Sequence, residues 1–436
     1  MAQLTSSRRT FLGVAGLAGL GAAAPAPGSS DEADLGVIEG TLERYAGFGV
    51  KASGGPGDQA CGAWLEAELA SRGYVPRRQL FEAPFFEPLQ ARLTCGDAAA
   101  TLVPQAIVAF TGAEGLTAPL RLASEPGDLS GAIALIVLPY SRWITLLQPE
   151  IAQSLTDARR RGAAAAVIVT TGPTREAVAL NVSADGSGFD RPTAILAPKD
   201  AEPFIAAARA GRTGNLILTG RGGRRGAFNL IARRDRAAPK TLILSTPRSG
   251  WFSCAAERGS GLAVWLWLAE WLATAEVDVN VELVATSGHE YQFLGGELYL
   301  AQAAPSPDRT RLWVHIGASA AARDWQEFGP RLLPLPSADA QRFLTATADL
   351  LESTRRAFKG ITGLEATYLA DKVMAGGELT NVLHAGYRSA IGLYGVHRYF
   401  HTQDDDLRCV SGDLVLPVAR AFQTAILAAL STSSEG

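Results

Sequence analysis

Histidine is scarce in this chain. Five occur in 436 residues, His289, His315, His384, His397 and His401. Any metal centre must therefore draw on those imidazoles, on carboxylates and on four cysteines. The cysteines Cys61, Cys95, Cys254 and Cys409 are widely spaced and include no C-x-x-C pair. That spacing excludes a zinc ribbon and leaves isolated thiols or one or two disulfides. Charge is also sparse, 19% of residues with a formal net charge of -3, which excludes the basic face that a nucleic-acid binder needs. No segment beyond the N-terminus reaches the ~18 uninterrupted apolar residues of a membrane span, so no stable membrane insertion is expected of the mature chain. Apolar residues, at 47%, are ample for a large core. The length calls for two domains plus an appendage.

The appendage is an address. Ser7-Arg8-Arg9-Thr10-Phe11-Leu12 precedes a mildly apolar Gly/Ala-rich run that ends in Ala22-Ala23-Ala24-Pro25-Ala26. A basic start, a short apolar stretch and a small-residue cleavage site describe a signal peptide. The paired arginines followed by x-Phe-Leu resemble the twin-arginine type. The run is too short and too weakly apolar to cross ~30 Å of hydrocarbon. Residues 1–28 are accordingly read as a leader for export to the periplasm or the outside.

Residues 33–73 read as helical, broken at Ser53-Gly54-Gly55-Pro56-Gly57. A stretch of strands and loops follows over 77–110. A buried strand over 131–138, a helix over 150–162 and a second buried strand over 163–169 then form a strand–helix–strand unit. With Gly162-Ala-Ala-Ala-Ala-Val-Ile-Val169 at its centre, this unit resembles the protease-associated domain found inserted in secreted exopeptidases. The insertion is placed at 85–225, carries no obvious chemistry of its own, and is expected to shape a substrate entrance. From 229 onward strands and helices alternate: strand 241–245, helix 259–274, strand 279–286, helix 293–303 and strand 311–316. Helix 337–357, strand 389–394 and helix 411–430 complete the series. That succession predicts an α/β sandwich around a mostly parallel sheet, with ligands outside the carboxyl ends of its strands.

The loops after those strands carry five segments of interest. They are Pro247-Arg248-Ser249-Gly250, Cys254-Ala255-Ala256-Glu257-Arg258-Gly259-Ser260-Gly261 and Ser287-Gly288-His289-Glu290-Tyr291-Gln292-Phe293-Leu294-Gly295-Gly296. The others are Trp313-Val314-His315-Ile316-Gly317 and His401-Thr402-Gln403-Asp404-Asp405-Asp406-Leu407-Arg408-Cys409-Val410. In order and spacing they resemble metallopeptidase family twenty-eight, which includes bacterial leucyl aminopeptidases, glutamate carboxypeptidases and glutaminyl cyclases. The resemblance is spread over 33–75 and 229–430 and implies a zinc-exopeptidase-like domain at 29–84 and 226–436. It further implies two zinc ions bridged by an aspartate, each with a histidine and a further carboxylate, and a free glutamate as base.

Several positions depart from that pattern. Pro247 stands where a histidine ligand is implied, and Ser249 where an aspartate would orient it. Glu257 takes the bridging position, one methylene longer, beside an Arg258 able to pair with it and compete with a cation. His289 takes the place of the base, Glu290 keeps a ligand position, and no carboxylate lies near Val314. His401 keeps its ligand position. The losses fall on one ion, so the resemblance implies at most one zinc, held by Glu257, Glu290 and His401, with the second zinc site absent. Two carboxylates and one imidazole with an open position form the ligand set of a hydrolytic zinc. His289 near neutral pH can accept a proton.

Each of these residues also has a plainer role. Glu257 and Arg258 can form a salt bridge with no metal, Glu290 and His289 a buried pair, and His401 can brace a loop through Asp404 or Asp405. His315, at a strand end, is a substitute ligand or a core histidine. His384 and His397 match no motif and read as structural, and Trp265, Trp267 and Trp271 read as core. A serine triad around Ser249 lacks the G-x-S-x-G elbow. Two functions follow: an exported aminopeptidase-like hydrolase acting on peptide termini or small amides, or a non-catalytic pseudopeptidase that binds peptides in the retained cleft. Cyclase or other amide chemistry in that cleft is a third. Oligomeric state is not legible.

Overall fold

The computed structural model describes residues 29–104, 107–142, 148–186, 190–329, 331–372 and 375–431. The expected leader lies outside them. The chain begins with α1 (Ser29–Gly47) and α2 (Pro56–Ser71), separated where glycine and proline interrupt the helical pattern. Two very long strands follow in the first half, β1 (Val75–Cys95) and, much later, β7 (Thr213–Arg234). They pair antiparallel from Val75↔Arg233 to Thr94↔Asn215, with one register shift between Pro88 and Gln90. One end of this ribbon pairs with residues 116–119 and the other with residues 281–285.

Between the ribbon strands lie β2 (Ala98–Pro104), β3 (Leu116–Leu122), β4 (Ile133–Val137), α3 (Pro149–Arg160), β5 (Ala165–Val169), β6 (Thr193–Leu196) and α4 (Pro198–Arg209). Strands β3, β4, β5 and β6 pair in parallel, so the expected strand–helix–strand unit is present as β4, α3 and β5. Its core runs through Leu120, Ile133, Val167, Leu196 and Phe204. The expected insertion limits, 85 and 225, fall inside β1 and β7, where Phe85 faces Gly223 and Ala83 faces Arg225. The backbone there is continuous ladder.

The remainder is β8 (Thr241–Pro247), α5 (Gly259–Thr274), β9 (Asn280–Thr286), α6 (Leu294–Gln302), β10 (Thr310–Ile316), β11 (Arg323–Phe328), β12 (Arg331–Ala338) and β13 (Arg342–Ala346). Then come α7 (Leu351–Ala357), β14 (Thr367–Leu369), α8 (Leu379–His384), β15 (Ala390–Gly395) and α9 (Gly412–Ser431). Thirteen of the described strands form one sheet in the order β1-β2-β6-β5-β4-β3-β7-β9-β8-β10-β15-β13-β14. Its centre, β9-β8-β10-β15, is parallel. Along β8, Leu242 and Leu244 face one core and Ile243 the other, the two-sided burial typical of parallel strands. Helices α1, α5 and α9 cover the first face, and α6 and α8 the second.

One expected helix is corrected. Residues 337–357 carry helical spacing, yet Arg342–Ala346 pairs antiparallel with β15 and only Leu351–Ala357 is helical. Pairing on both sides, with β15 and with β14, overrides local preference; Arg342 turns inward to donate to the carbonyl of Ala320. By length and composition α9 could span a membrane; here it packs Val415, Val418, Phe422 and Ile426 into the main core. Trp265 and Trp267 are buried as expected, and all four cysteines are free thiols.

A buried ion pair joins the helical start to the strand ends. Arg248 Nε lies 3.0 Å from Asp58 Oδ1, both side chains wholly enclosed. The other Asp58 oxygen accepts from the Gly54 N–H and the Ser287 hydroxyl, each at 2.8 Å. Breaking such a pair strands a buried charge. Asp58→Asn is expected to lower stability by about 3 kcal/mol, read as a fall in the denaturation midpoint.

Candidate functional site

The carboxyl ends of β8, β9, β10 and β15 point the same way, so the loops that follow them share one end of the sheet. Their backbone is tight. Cys254, Gln292, Phe293, Ser319 and His401 all adopt positive φ, between 51° and 65°, conformations that cost side-chain-bearing residues energy and concentrate at functional sites. Gly295 is required sterically, since a Cβ there would lie 2.0 Å from the Ser287 carbonyl oxygen.

Glu257 lies just before α5 and is fully buried. Its Oε1 is 2.7 Å from Arg258 Nη2 and 3.2 Å from His401 Nε2. Burial alone would raise its carboxyl pKa, but the Arg258 guanidinium and then His401 hold it well below the usual carboxylate range. Burial disfavours charge on Arg258 also, and Glu257 together with Cys254, Tyr45 and Glu290 more than offsets that. Arg258 Nε donates to the Ser249 carbonyl at 3.0 Å, which fixes the fork. These contacts are close but poorly aligned as hydrogen bonds. Both Glu257 oxygens, both terminal Arg258 nitrogens and His401 Nε2 lack a hydrogen-bond partner of good geometry. The charge contact therefore dominates the interaction.

Glu290 faces a different set of groups. It accepts from the Ser53 N–H at 3.0 Å, the Ser53 hydroxyl at 2.9 Å and the Ser249 hydroxyl at 2.6 Å. Burial pushes its carboxyl upward against these donors. His289 Nδ1 sits 3.1 Å from Glu378 Oε1, and burial holds its imidazole well below the ordinary value. Burial raises the Glu378 carboxyl. His315 Nδ1 meets the Ser245 hydroxyl at 3.0 Å, beside a void of about 10 Å³ lined by Thr286, Trp313 and Glu378. Asp405 accepts from the N–H groups of Ala256 and Glu257, both at 2.9 Å. Asp404 is half-buried, its carbonyl 3.6 Å from Cys409 Sγ.

Of the expected zinc ligands, then, Glu257 and His401 meet, while Glu290 is engaged by serines. Among the described residues, the group of three metal-ligating side chains with donor atoms all within 4.8 Å of one another is His397, Asp405 and Cys409, not the expected one. His401 is posed as a ligand in one respect. Its Nδ1 is 2.9 Å from the Ala179 carbonyl, the arrangement that orients metal-bound imidazoles. Yet the charge beside it is already met by a guanidinium that does not deprotonate. A zinc held by Glu257, Glu290 and His401 does not fit this donor set.

Sequence reasoning missed who closes the site. Segment 177–182, from the unit expected to lack chemistry, is buried against the strand ends. The Ala179 N–H donates to the His401 carbonyl at 2.9 Å, and the Val182 N–H to the Glu290 carbonyl at 3.0 Å. Trp251 Nε1 donates to Asn181 Oδ1 at 3.0 Å. The first two contacts use backbone atoms, and none of the three leaves a motif. Ser53 and Glu378 were likewise unannounced as partners, and Asp405, expected to brace His401, instead accepts from the Ala256 and Glu257 N–H groups while His401 meets Ala179 and Glu257; each acts through a loop whose path depends on the fold.

Solved structures resemble this one closely in shape and weakly in sequence. The zinc aminopeptidase BSAP of Bacillus subtilis matches with a TM-score of 0.71 at 17% identity, covering 92% of this chain and 96% of that one. The aminopeptidase of Aneurinibacillus sp. strain AM-1 gives 0.66 at 17%, covering 92% and 94%. The fold is an aminopeptidase fold. A peptidase M28 precursor from Shewanella amazonensis SB2B gives 0.67 at 17%, covering 92% and 98%. No protein-family model matches the chain, and no curated protein matches it by sequence. Within the aminopeptidase fold, this chain builds a closed network of charges and serines at the strand ends.

That network has a pH signature. Burial pushes the His315 imidazole from 6.5 down to about 4, so between those values the unfolded chain binds a proton that the folded one refuses. The stability present above pH 6.5 is lost progressively as pH falls toward 4. Replacing His315 by Gln is expected to remove one proton's share of that slope, measured by urea denaturation across the pH series.

Proposed function

We propose that this chain is an exported, non-catalytic relative of the aminopeptidases that binds peptides beside a cleft whose metal chemistry has been replaced by an internal ion pair. The observation that carries this reading is the 2.7 Å contact of Arg258 with Glu257. A fixed positive charge on the would-be bridging carboxylate removes the electrostatic reason for a cation, and Glu290 is saturated by serine donors. Peptide binding draws support from the aminopeptidases of the same fold and from a groove of about 580 Å³, within the usual ~300–1,000 Å³ of ligand sites. Phe86, Trp251, Phe252 and Tyr291 line it, with Arg225 and Gln403 as polar members. Reading the unit between β1 and β7 as a protease-associated-type insertion suits this role, since it supplies one wall of the groove. Export by the twin-arginine route rests on the N-terminal sequence.

A second reading is favoured by a specific feature: His401 Nε2 and both Glu257 oxygens lack well-aligned partners. In that reading a single cation displaces Arg258 and the chain hydrolyses peptide termini. Variants at His401, Arg258 and Glu257 separate the readings. The parent is expected to turn over no aminoacyl or peptide substrate with added zinc, and its metal content is expected to be unchanged by His401→Ala. Arg258→Met is expected to gain one zinc per chain that a further His401→Ala removes. Turnover by the parent that Glu257→Gln abolishes would overturn the non-catalytic reading.

A further inference from the structure

A second cluster of ligand-type side chains lies behind the cleft. His397 and Asp405 are almost wholly buried, as is Cys409, and their donor atoms lie within 4.8 Å of one another. His397 Nε2 stands 3.4 Å from Asp405 Oδ1 but makes no hydrogen bond to it or to any other group. The remaining ring nitrogen, Nδ1, is 2.8 Å from the Ser319 hydroxyl, and a proton there leaves a lone pair on Nε2 facing the carboxylate. In that tautomer two electron-rich atoms face each other across 3.4 Å, an arrangement that a cation between them stabilises. The spacing equals the edge of a coordination tetrahedron with bonds of ~2.0–2.1 Å.

The surroundings are those of a built site. The Ala256 and Glu257 N–H groups hold the Asp405 carboxylate. The Ser319 hydroxyl orients the imidazole, as outer partners of metal-bound histidines do. Cys409 comes from the short turn Leu407–Cys409, its Sγ near the Asp404 carbonyl.

We propose that His397, Asp405 and Cys409 bind a structural zinc ion. Mixed sulfur, nitrogen and oxygen donors, all buried, suit zinc over magnesium or calcium, which take oxygen sets. Cys409 binds as thiolate, its proton passing to solvent as the metal enters. The ion clips the loop after β15 to itself and, through Asp405, to the backbone of Glu257, so it fixes the platform that carries the Glu257–Arg258–His401 network without belonging to it.

The test is metal analysis of the full chain purified from zinc-supplemented medium, followed by cobalt(II) replacement. One zinc per chain is expected, kept in His401→Ala and Glu257→Gln and lost in Cys409→Ser. Cobalt loading of the parent is expected to give a thiolate-to-cobalt charge-transfer band, a readout independent of whether Cys409→Ser folds. Ser319→Gly suits the positive φ while deleting the hydroxyl, and is expected to weaken zinc binding about tenfold or more. A parent with neither zinc nor the cobalt band overturns the proposal. So does zinc that survives Cys409→Ser but disappears in His401→Ala, an outcome that would instead place the ion in the cleft.

Discussion

The site depends on one buried ion pair, Glu257 with Arg258. Taking both charges out of water costs several kcal/mol per ion, which their mutual attraction offsets. Once paired, they impose constraints outward. Arg258 must reach the Ser249 carbonyl, which holds the loop after β8. Glu257 must stay at the start of α5, which Asp405 secures through two main-chain N–H groups. His401 must reach the same carboxylate oxygen as Arg258, in a left-handed backbone that only a well-braced loop sustains.

In the proposed non-catalytic reading a guanidinium stands where a divalent cation would sit, a planar fork with fixed donors in place of a point charge with exchangeable ligands. Such a fork neutralises a carboxylate but generates no hydroxide. The rest of the pocket follows the same logic. Serines stand around Glu290, and a neutral imidazole stands where a base is implied by the resemblance. Segment 177–182 then lays its backbone over His401 and Glu290, so the unit carried by the long ribbon finishes the enclosure. The open surface is displaced to the neighbouring groove beside Trp251 and Tyr291.

Much of the architecture was legible beforehand. Continuous apolar runs at 241–245, 279–286 and 311–316 could only be strands buried on both faces, and Ala-, Leu- and Trp-rich spacing at 259–274 could only be a core helix. The misread stretch, 337–357, shows the limit: its composition suits a helix, and only pairing with β15 and β14 makes a strand of Arg342–Ala346. At the site, the departures at Pro247, His289 and Arg258 were visible as letters, and so was the competition between Arg258 and a cation. The partners were not. Ser53, Glu378 and Ala179 are distant in sequence and carry no pattern, and His397 read as merely structural because its companion ligands are defined by how one loop folds back.

By itself the sequence determined the kinds of residue available: five histidines, few carboxylates at the strand ends, and an arginine beside the one that mattered most. Composition and hydrophobic spacing also determined the layered α/β plan, since burial on one or two faces is a local property of the chain. Only tertiary structure decided which charges meet. Whether Glu257 faces a guanidinium, an imidazole or another carboxylate depends on loop paths set by packing tens of residues away, and electrostatic energy depends on distance and burial, not on order along the chain.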